Sequence, residues 1–551
     1  MPDPDPQQVA AASYSLNLLV IAPPGCGKTE LLALRAEALI PRLQPNQRIL
    51  ALTFTNRAKA NLSERLKRLL GTQRFRRYVT VHNFHGHAAE VVLAHGGTLG
   101  MTVEGIGMPT TKTLRKALEQ FSTDAATNRA SAELLATTKR SRLSDEEVIA
   151  ALDEAGDALA LRVEVERIAA NQLHYEDLLR HAQRLLAIDE VANLYQQHYG
   201  AVLVDEFQDL SPQQLDVAMR TCATSRTFAG DPMQGIYSWA GADPERVEAN
   251  LRAVCTEPIQ LTVSYRSSPA VLAMLNGVSG RMGAEQLRAF DPSAWPDGGA
   301  SAALAVRTTA DEARLIAVLS QRMVQADPTA SVGVITRSSW RRDEIDKAFG
   351  ALPELPCRRW DLAIEDPAIL DRLRSAVAAM PRDVTFHDAR ERVVAMIDPS
   401  DVDTIEQVED AFEQLQIGTG TSVRAAINQF RVRDDDAAVG PGVHLLNAHT
   451  GKGQQFDWVF IPGLEEKHLP DRRSSAGAAL DEEERVLLVM LSRARHGVVV
   501  TTATTLNGRY GSYPATVSRW WRGLASSATM DWAALDAHIT RVYPPQAQQA
   551  I

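Results

Sequence analysis

The chain has 551 residues, is 45% hydrophobic and 23% charged, and carries a formal net charge of −10. Single hydrophobic cores stop growing at roughly 250–300 residues, so several domains are expected, and with this ordinary globular composition no part needs to be disordered for lack of apolar surface. No apolar run reaches the ~18 residues of a membrane span and no charged-then-apolar leader opens the sequence, so neither a membrane span nor a signal peptide is expected. Cys26, Cys222, Cys255 and Cys357 stand far apart with no C-x-x-C pair. That argues against zinc or iron–sulfur ligation and for a reducing, cytoplasmic setting.

Leu18-Leu19-Val20-Ile21 reads as a buried strand. Ala22-Pro23-Pro24-Gly25-Cys26-Gly27-Lys28-Thr29 leads from it into a helical pattern begun by Leu31, Leu32, Leu34 and Ala36. This is P-loop spacing, with Ala22 where the first glycine usually stands. Gly25 and Gly27 let backbone N–H groups turn inward around a phosphate chain, and Lys28 directs positive charge toward the β- and γ-phosphates. The Thr29 hydroxyl is placed to ligate Mg²⁺. A nucleoside triphosphate is the expected ligand, and a parallel sheet the expected support.

Further strands are expected at Ile49–Thr55, Val79–His85, Ala201–Glu206 and Arg226–Asp231. Between about 88 and 195 the pattern is helical and strand-poor, an inserted subdomain. A second α/β set begins near 270, with strands at Ala302–Val306, Val332–Thr336, Val443–Leu446, Trp458–Ile461 and Gly497–Thr501. Acidic, helix-like text at about 366–435 (Glu406-Gln407-Val408-Glu409-Asp410) interrupts it, and about 526–551 reads as a short appendage.

Asp205-Glu206-Phe207-Gln208-Asp209 ends an apolar strand, where ligands of an open parallel sheet collect. Asp205 is placed to hold Mg²⁺, and Glu206 to orient and deprotonate an attacking water. Phe54, Phe84, Tyr237 and Trp239 lie at or beside strand ends. Stacking of bases on aromatic rings accepts any base, which suits a protein that tracks along single-stranded nucleic acid. Thr55, Asn56, His82 and Thr450 are short polar groups suited to phosphate contacts. No metal-ligand cluster is expected outside the nucleotide site.

In chain order, Gln7, Ala22–Thr29, Thr53–Asn56, Asp205–Asp209, Gly230–Trp239, Tyr265-Arg266-Ser267, His449-Thr450-Gly451-Lys452-Gly453 and Glu482–Arg495 resemble the motifs of superfamily 1 helicases of the UvrD/Rep branch. The resemblance covers about residues 5–505. It implies an α/β fold of two RecA-like P-loop cores with helical insertions. The first core (1A) would comprise 1–88 and 196–270, with the insertion 1B at 89–195. The second (2A) would comprise 271–365 and 436–525, with a reduced 2B-like insertion at 366–435 and an appendage at 526–551.

The resemblance also implies roles. Gln7 or Gln8 would bond the adenine edge, and Tyr265 would stack on the base. Pro23, Pro24, Cys26 and Glu30 would complete the nucleotide loop, Glu30 standing where a basic residue is frequent. Gln234, Arg266 and Arg493 would sense or stabilise the γ-phosphate. Gly453 and Gln455 would line the nucleotide, Gln455 standing where the family usually has glutamate. His449 would join the DNA contacts, and Ala240 stands where an arginine commonly follows the tryptophan. The implied activity is a Mg²⁺- and ATP-dependent translocase on single-stranded DNA and 3′→5′ helicase, acting on duplexes with a 3′ single-stranded tail in repair, recombination or antiviral defence. Two other readings stand beside it: an ATP-gated DNA- or nucleotide-sensing subunit that regulates a partner nuclease, and an RNA-directed translocase.

Overall fold

The computed structural model describes residues 6–14, 17–109, 113–238, 241–255, 257–352, 354–360, 363–364, 367–381, 383–397, 408, 412, 422–428, 431–432, 439–508 and 511–544. The chain divides into two compact units, Met1–Pro23 with Gly27–Leu261, and Pro24–Cys26 with Thr262–Ile551. No described helix is long and apolar enough to cross a membrane.

The first unit is built on six parallel strands: β1 (Leu18–Ile21), β2 (Arg48–Thr53), β3 (Val79–Asn83), β4 (Tyr199–Asp205), β5 (Arg226–Gly230) and β6 (Ile259–Gln260). They lie in the order β3-β2-β4-β5-β1-β6. Strands covered on both faces read as continuous apolar runs rather than alternating ones, and β1 is buried along its whole length. Because β5 lies between β4 and β1, the C-terminal ends of all three sit side by side.

Two strands end two residues before the sequence pattern suggested. Beyond β2, Thr55 caps helix Asn56–Leu70, its hydroxyl accepting from the Ala58 N–H at 3.1 Å. Beyond β3, Asn83 caps helix Phe84–His95, its side-chain oxygen accepting from the Gly86 N–H at 2.6 Å. Short polar residues there satisfy helix N–H groups that have no partner within the helix.

Helices Phe84–His95 and Tyr175–Leu186 bury Val91, Val92, Leu178 and Leu185 in the core of this sheet. Between them, helices Thr113–Glu119, Ala125–Lys139, Asp145–Glu154 and Ala158–Ala169 share a small separate core of Leu118, Leu135, Val148, Leu152, Ala160 and Val163. A buried ion network adjoins it. Lys139 pairs with Glu164 (2.5 Å) and Asp177 (3.0 Å), Arg167 with Glu164 (2.8 Å) and Asp145 (3.0 Å), and Arg180 with Asp177 (2.7 Å) and Asp145 (2.5 Å).

In the second unit, β7 (Val263–Ser264) and β8 (Arg288–Ala289) form a short parallel pair. The main sheet contains β9 (Ala300–Thr308), β10 (Ser331–Thr336) and β11 (Cys357–Arg359). After the short pair β12 (Ala363–Ile364) and β13 (Arg431–Val432), it adds β14 (Gly442–Asn447), β15 (Phe456–Ile461), β16 (Ala494–Gly508) and β17 (Gly511–Pro514). Its order is β11-β14-β10-β15-β16-β17, with β9 also parallel to β16 and β17 folding back antiparallel. The five strands expected from sequence lie within β9, β10, β14, β15 and β16.

Between β12 and β13, Leu370, Leu373, Val377, Ala389, Val393, Phe412, Val423 and Ile427 form a further apolar cluster. Of the acidic run 406–410 only Val408 lies within the described residues, and it is buried there.

The expected appendage is in part a core element. Helix Trp532–Val542 places Leu535 and Ile539 one turn apart, and both pack with Tyr543 against the second sheet. The indole N–H of buried Trp458 donates to the Tyr543 hydroxyl at 3.0 Å. Tyr543→Phe leaves that donor unsatisfied and should cost the second unit about 1–3 kcal/mol, read by chemical denaturation; an unchanged midpoint would contradict the packing.

Asp177 gives a second expectation. Burial alone would raise its carboxyl, but Lys139, Arg167 and Arg180 hold it well below the usual carboxylate range. Asp177→Ala strands buried cations and should destabilise the first unit by about 3–5 kcal/mol. Because the folded-state pKa is depressed, this stabilisation is complete above the unfolded carboxyl's value of roughly 3.9 and is lost as the pH falls below it.

Candidate nucleotide site and nucleic-acid face

At the end of β1 the Ala22 N–H donates to the Gly230 carbonyl of β5 at 2.7 Å, fixing the start of the loop. Gly25 and Gly27 have φ of 80° and 78°, left-handed values that side chains disfavour. Gly27 is the N-cap of helix Lys28–Leu39 and no side chain caps it. The first N–H groups of the helix are therefore available to an anion, the arrangement that binds phosphate.

Lys28, first in that helix, reaches across β5 to the end of β4. Its ammonium lies 3.2 Å from Asp205 Oδ1 and pairs closely with Glu206. Burial works against the charged amine, but Asp205 and Glu206 outweigh it and hold it above its ordinary value. Asp205, 5% exposed, is pushed up to about 6 by burial, which Lys28 only partly offsets.

Glu206 turns the chain with φ 59° and ψ 50°. A non-glycine residue there stores strain of order 1–3 kcal/mol and is characteristic of functional positions. A relay of buried polar groups follows. Gln208 Nε2 donates to Glu206 Oε2 at 2.7 Å, Gln208 Oε1 accepts from the Asp231 N–H at 3.0 Å, and Gln234 Nε2 donates to Asp231 Oδ2 at 3.0 Å. Burial raises the Asp231 carboxyl to about 6. Sequence reasoning named Glu206 and Gln234 and missed Gln208 and Asp231, which join them. The signal was an amide two residues after the strand-end glutamate and an Asp closing β5.

Of the two candidate glutamines, Gln8 is buried with Nε2 donating to the Gly27 carbonyl at 3.3 Å, whereas Gln7 is exposed. Their helix, Pro6–Ala12, is anchored by buried Arg35, which donates to the Ala12 carbonyl at 3.1 Å and to Thr227 Oγ1 at 3.1 Å. Pro24 and Cys26 are buried in the loop; Pro23 and Thr29 are half-buried. The Glu30 carboxylate is bound by Arg65 at 2.6 Å, which leaves the Glu30 backbone, not its side chain, for a nucleotide.

In the second unit, Arg266 Nη1 donates to the Ser492 carbonyl at 3.5 Å, at the C-terminal end of helix Gly477–Leu491. Arg493 is 3% exposed, with Nε donating to the Val489 carbonyl at 2.9 Å and Nη2 to Ser492 Oγ at 2.6 Å. Cations suit carbonyl-rich helix C-termini. Tyr265 stacks on Phe290, centroids 4.7 Å apart. Gly453 (φ 82°) and Gln455 are exposed.

The expected nucleic-acid contacts divide. In the first unit, Phe54 and Tyr237 stack on each other, centroids 5.6 Å apart and 19° between planes, and both remain partly exposed. Exposed Asn56 accepts from Asn83 Nδ2 at 2.7 Å. His82 lies 3.3 Å from Glu90, and burial lowers its pKa. Phe84 is fully buried among the core residues of the first sheet, so the expectation that it touches a nucleic acid is corrected: as first residue of its helix it faces the sheet. In the second unit the Thr450 hydroxyl donates to Asn447 Oδ1 at 3.0 Å, and burial lowers His449. Trp239 and Ala240 lie outside the described residues.

One group with metal-ligand spacing does occur away from this site, contrary to expectation: Asp145, Asp177 and His181 have candidate ligand atoms within 4.8 Å of one another. Arg167 and Arg180 already match those carboxylates, so the group is part of the ion network.

A lysine poised between a helix N-terminus and two strand-end carboxylates meets the needs of phosphoryl transfer from a nucleotide, and it makes the first unit a P-loop nucleoside triphosphatase core. Residues 4–252 match the family model of the UvrD/REP helicase N-terminal domain, and residues 402–505 that of the UvrD-like helicase C-terminal domain. The chain is 27% identical to the ATP-dependent DNA helicase UvrD2 of Mycobacterium tuberculosis, over 96% of its own length and 82% of the relative's. It is 25% identical to DNA helicase II of Escherichia coli (91% and 84%) and 23% identical to DNA helicase II of Rickettsia typhi (90% and 91%). The chain belongs to the UvrD/Rep-like helicases of superfamily 1.

Gln208→Ala should leave nucleotide binding in place while lowering turnover, because Glu206 loses the amide that orients it; wild-type turnover in a folded variant would show the relay to be structural only.

Proposed function

We propose that this ATP-dependent DNA helicase translocates 3′→5′ along single-stranded DNA and unwinds duplexes that carry a 3′ single-stranded tail. The observation that carries the reading is the placement of Lys28 against Asp205 and Glu206 at the end of a parallel sheet. The Phe54–Tyr237 stack on the same unit supplies a ring pair of the kind on which bases of any sequence stack.

The two sheets correspond to RecA-like cores 1A and 2A, the helices around Leu118–Val163 to 1B, and the cluster between β12 and β13 to a reduced 2B. Asp205 and Thr29 offer hard oxygen donors of the kind Mg²⁺ takes. The buried Asp205 carboxylate, balanced in this structure by Lys28 alone among described cations, fits that ion. When bound, the metal neutralises charge on the β- and γ-phosphates. Lys28 turns from its carboxylates to the phosphates, and Glu206, held by Gln208, takes a proton from the attacking water. Gln234 reports on the γ-phosphate. Arg266 and Arg493 bring positive charge to the transferred group. Gln8 reads the adenine edge.

Glu206→Gln should retain nucleotide binding but cut turnover about 10²–10⁴-fold, the usual worth of a general base; normal hydrolysis would remove Glu206 from that role. The activity itself is tested by strand displacement on duplexes with a 3′ tail, a 5′ tail or blunt ends. ATP-dependent separation of the 3′-tailed duplex is expected, and preference for the 5′ tail would overturn the polarity.

A further inference from the structure

We infer that Arg140, at the end of a helix in the insertion, is a further phosphate-binding residue for single-stranded DNA, resting on the helicase reading above. Its guanidinium lies against Gly241, four residues after Tyr237: a Cβ built on Gly241 would stand 2.7 Å from its Nε and Cζ and 3.1 Å from Nη2. The Gly241 N–H donates to the Ser238 carbonyl at 2.9 Å and the Ala242 N–H to the Tyr237 carbonyl at 3.2 Å. Gly241 has φ 92°, a backbone conformation that side chains disfavour. A guanidinium thus occupies side-chain space at Gly241, four residues after the tyrosine that stacks on Phe54.

Arg140 is exposed, and no carboxylate of the described residues lies within ion-pair distance of it. An ordinary surface arginine of this kind is solvated and loosely held, but the backbone beneath this one is fixed. Lys139, the preceding residue, is 1% exposed and bound to Glu164 and Asp177. The Lys139 carbonyl accepts from buried Gln213 Nε2 at 3.0 Å, on the helix that follows the Asp205–Asp209 segment. The Arg140 N–H donates to the Thr137 carbonyl at 3.2 Å. Lys139, the last residue of its helix, is thus anchored, and the next side chain lies against Gly241. A planar, permanently charged fork set against Gly241, four residues after a tyrosine of the stacked pair, suits one phosphate of a strand whose bases stack on those rings.

The test is fluorescence anisotropy of the full chain with labelled oligothymidylate over a series of salt concentrations, for wild type, Arg140→Ala, Arg140→Gln and Arg140→Lys. Arg140→Ala and Arg140→Gln should bind several-fold more weakly at low salt. The slope of log affinity against log salt should become shallower by about 0.7, the value for one phosphate contact on a single strand. Arg140→Lys should keep the wild-type slope, and ATP turnover without DNA should stay at the wild-type level in all variants. If Arg140→Ala fails to fold, Arg140→Gln decides. Unchanged affinity, weaker binding with an unchanged slope, or failure of both neutral variants to fold makes Arg140 a packing residue and overturns the inference. If wild type itself does not bind the oligonucleotide, the helicase reading fails instead.

Discussion

The Lys28 ammonium is held by carboxylates from the end of β4, a strand its own helix does not follow, and that pairing exists only because of the strand order β4-β5-β1. Neighbouring strands lie about 4.8 Å apart, so the ends of β1 and β4 are roughly 10 Å from each other, within the reach of an extended lysine. The parallel direction of all three strands places the phosphate loop, Asp231 and the Asp205-Glu206 pair on one edge. Reversing any one strand would send its functional residue to the opposite edge. The continuous apolar runs of β1 and β4 thus act at a distance: burial on both faces fixes the sheet, and the sheet fixes the charges.

The electrostatics at that edge are finely balanced. Two adjacent carboxylates share one ammonium, and burial still leaves Asp205 near a pKa of 6. A phosphate chain arriving at the helix N-terminus would compete for Lys28 and expose the carboxylates to one another, a repulsion that a divalent cation between them and the phosphates relieves. The relay through Gln208, Asp231 and Gln234 ties the Glu206 carboxylate to the loop after β5, the same loop that continues to Tyr237. Nucleotide chemistry and the aromatic pair are therefore connected within one unit by a short run of hydrogen bonds and backbone. The buried ion network of the insertion joins this frame through Gln213.

The placement of the phosphate-loop residues after β1 and of Asp205 and Glu206 at the end of β4 was legible in the sequence, because it depends on local spacing after an apolar strand. Gln208 and Asp231 were not, since an amide becomes a relay only when two strand ends are adjacent. Phe54 and Phe84 look alike in sequence, each near the end of an apolar strand, yet one stacks at the surface and the other fills the core; the difference is that Phe84 begins a helix capped by Asn83 and turned to the sheet. Glu30, unusual beside a phosphate loop, is explained by Arg65 on the next helix, a pairing no spacing rule foretells. The helix at Trp532–Val542 carried its apolar period in Leu535, Ile539 and Tyr543, but its short length and polar flanks concealed that it completes a core.

ATP turnover measured with single-stranded DNA, blunt duplex DNA, RNA and no nucleic acid tests the central claim most directly. Strong stimulation by single-stranded DNA over every other condition is the predicted result, because the proposed strand contact at the Phe54–Tyr237 pair lies on the loop that also carries Gln234. Turnover indifferent to nucleic acid, or stimulated by RNA in preference to DNA, would contradict the account.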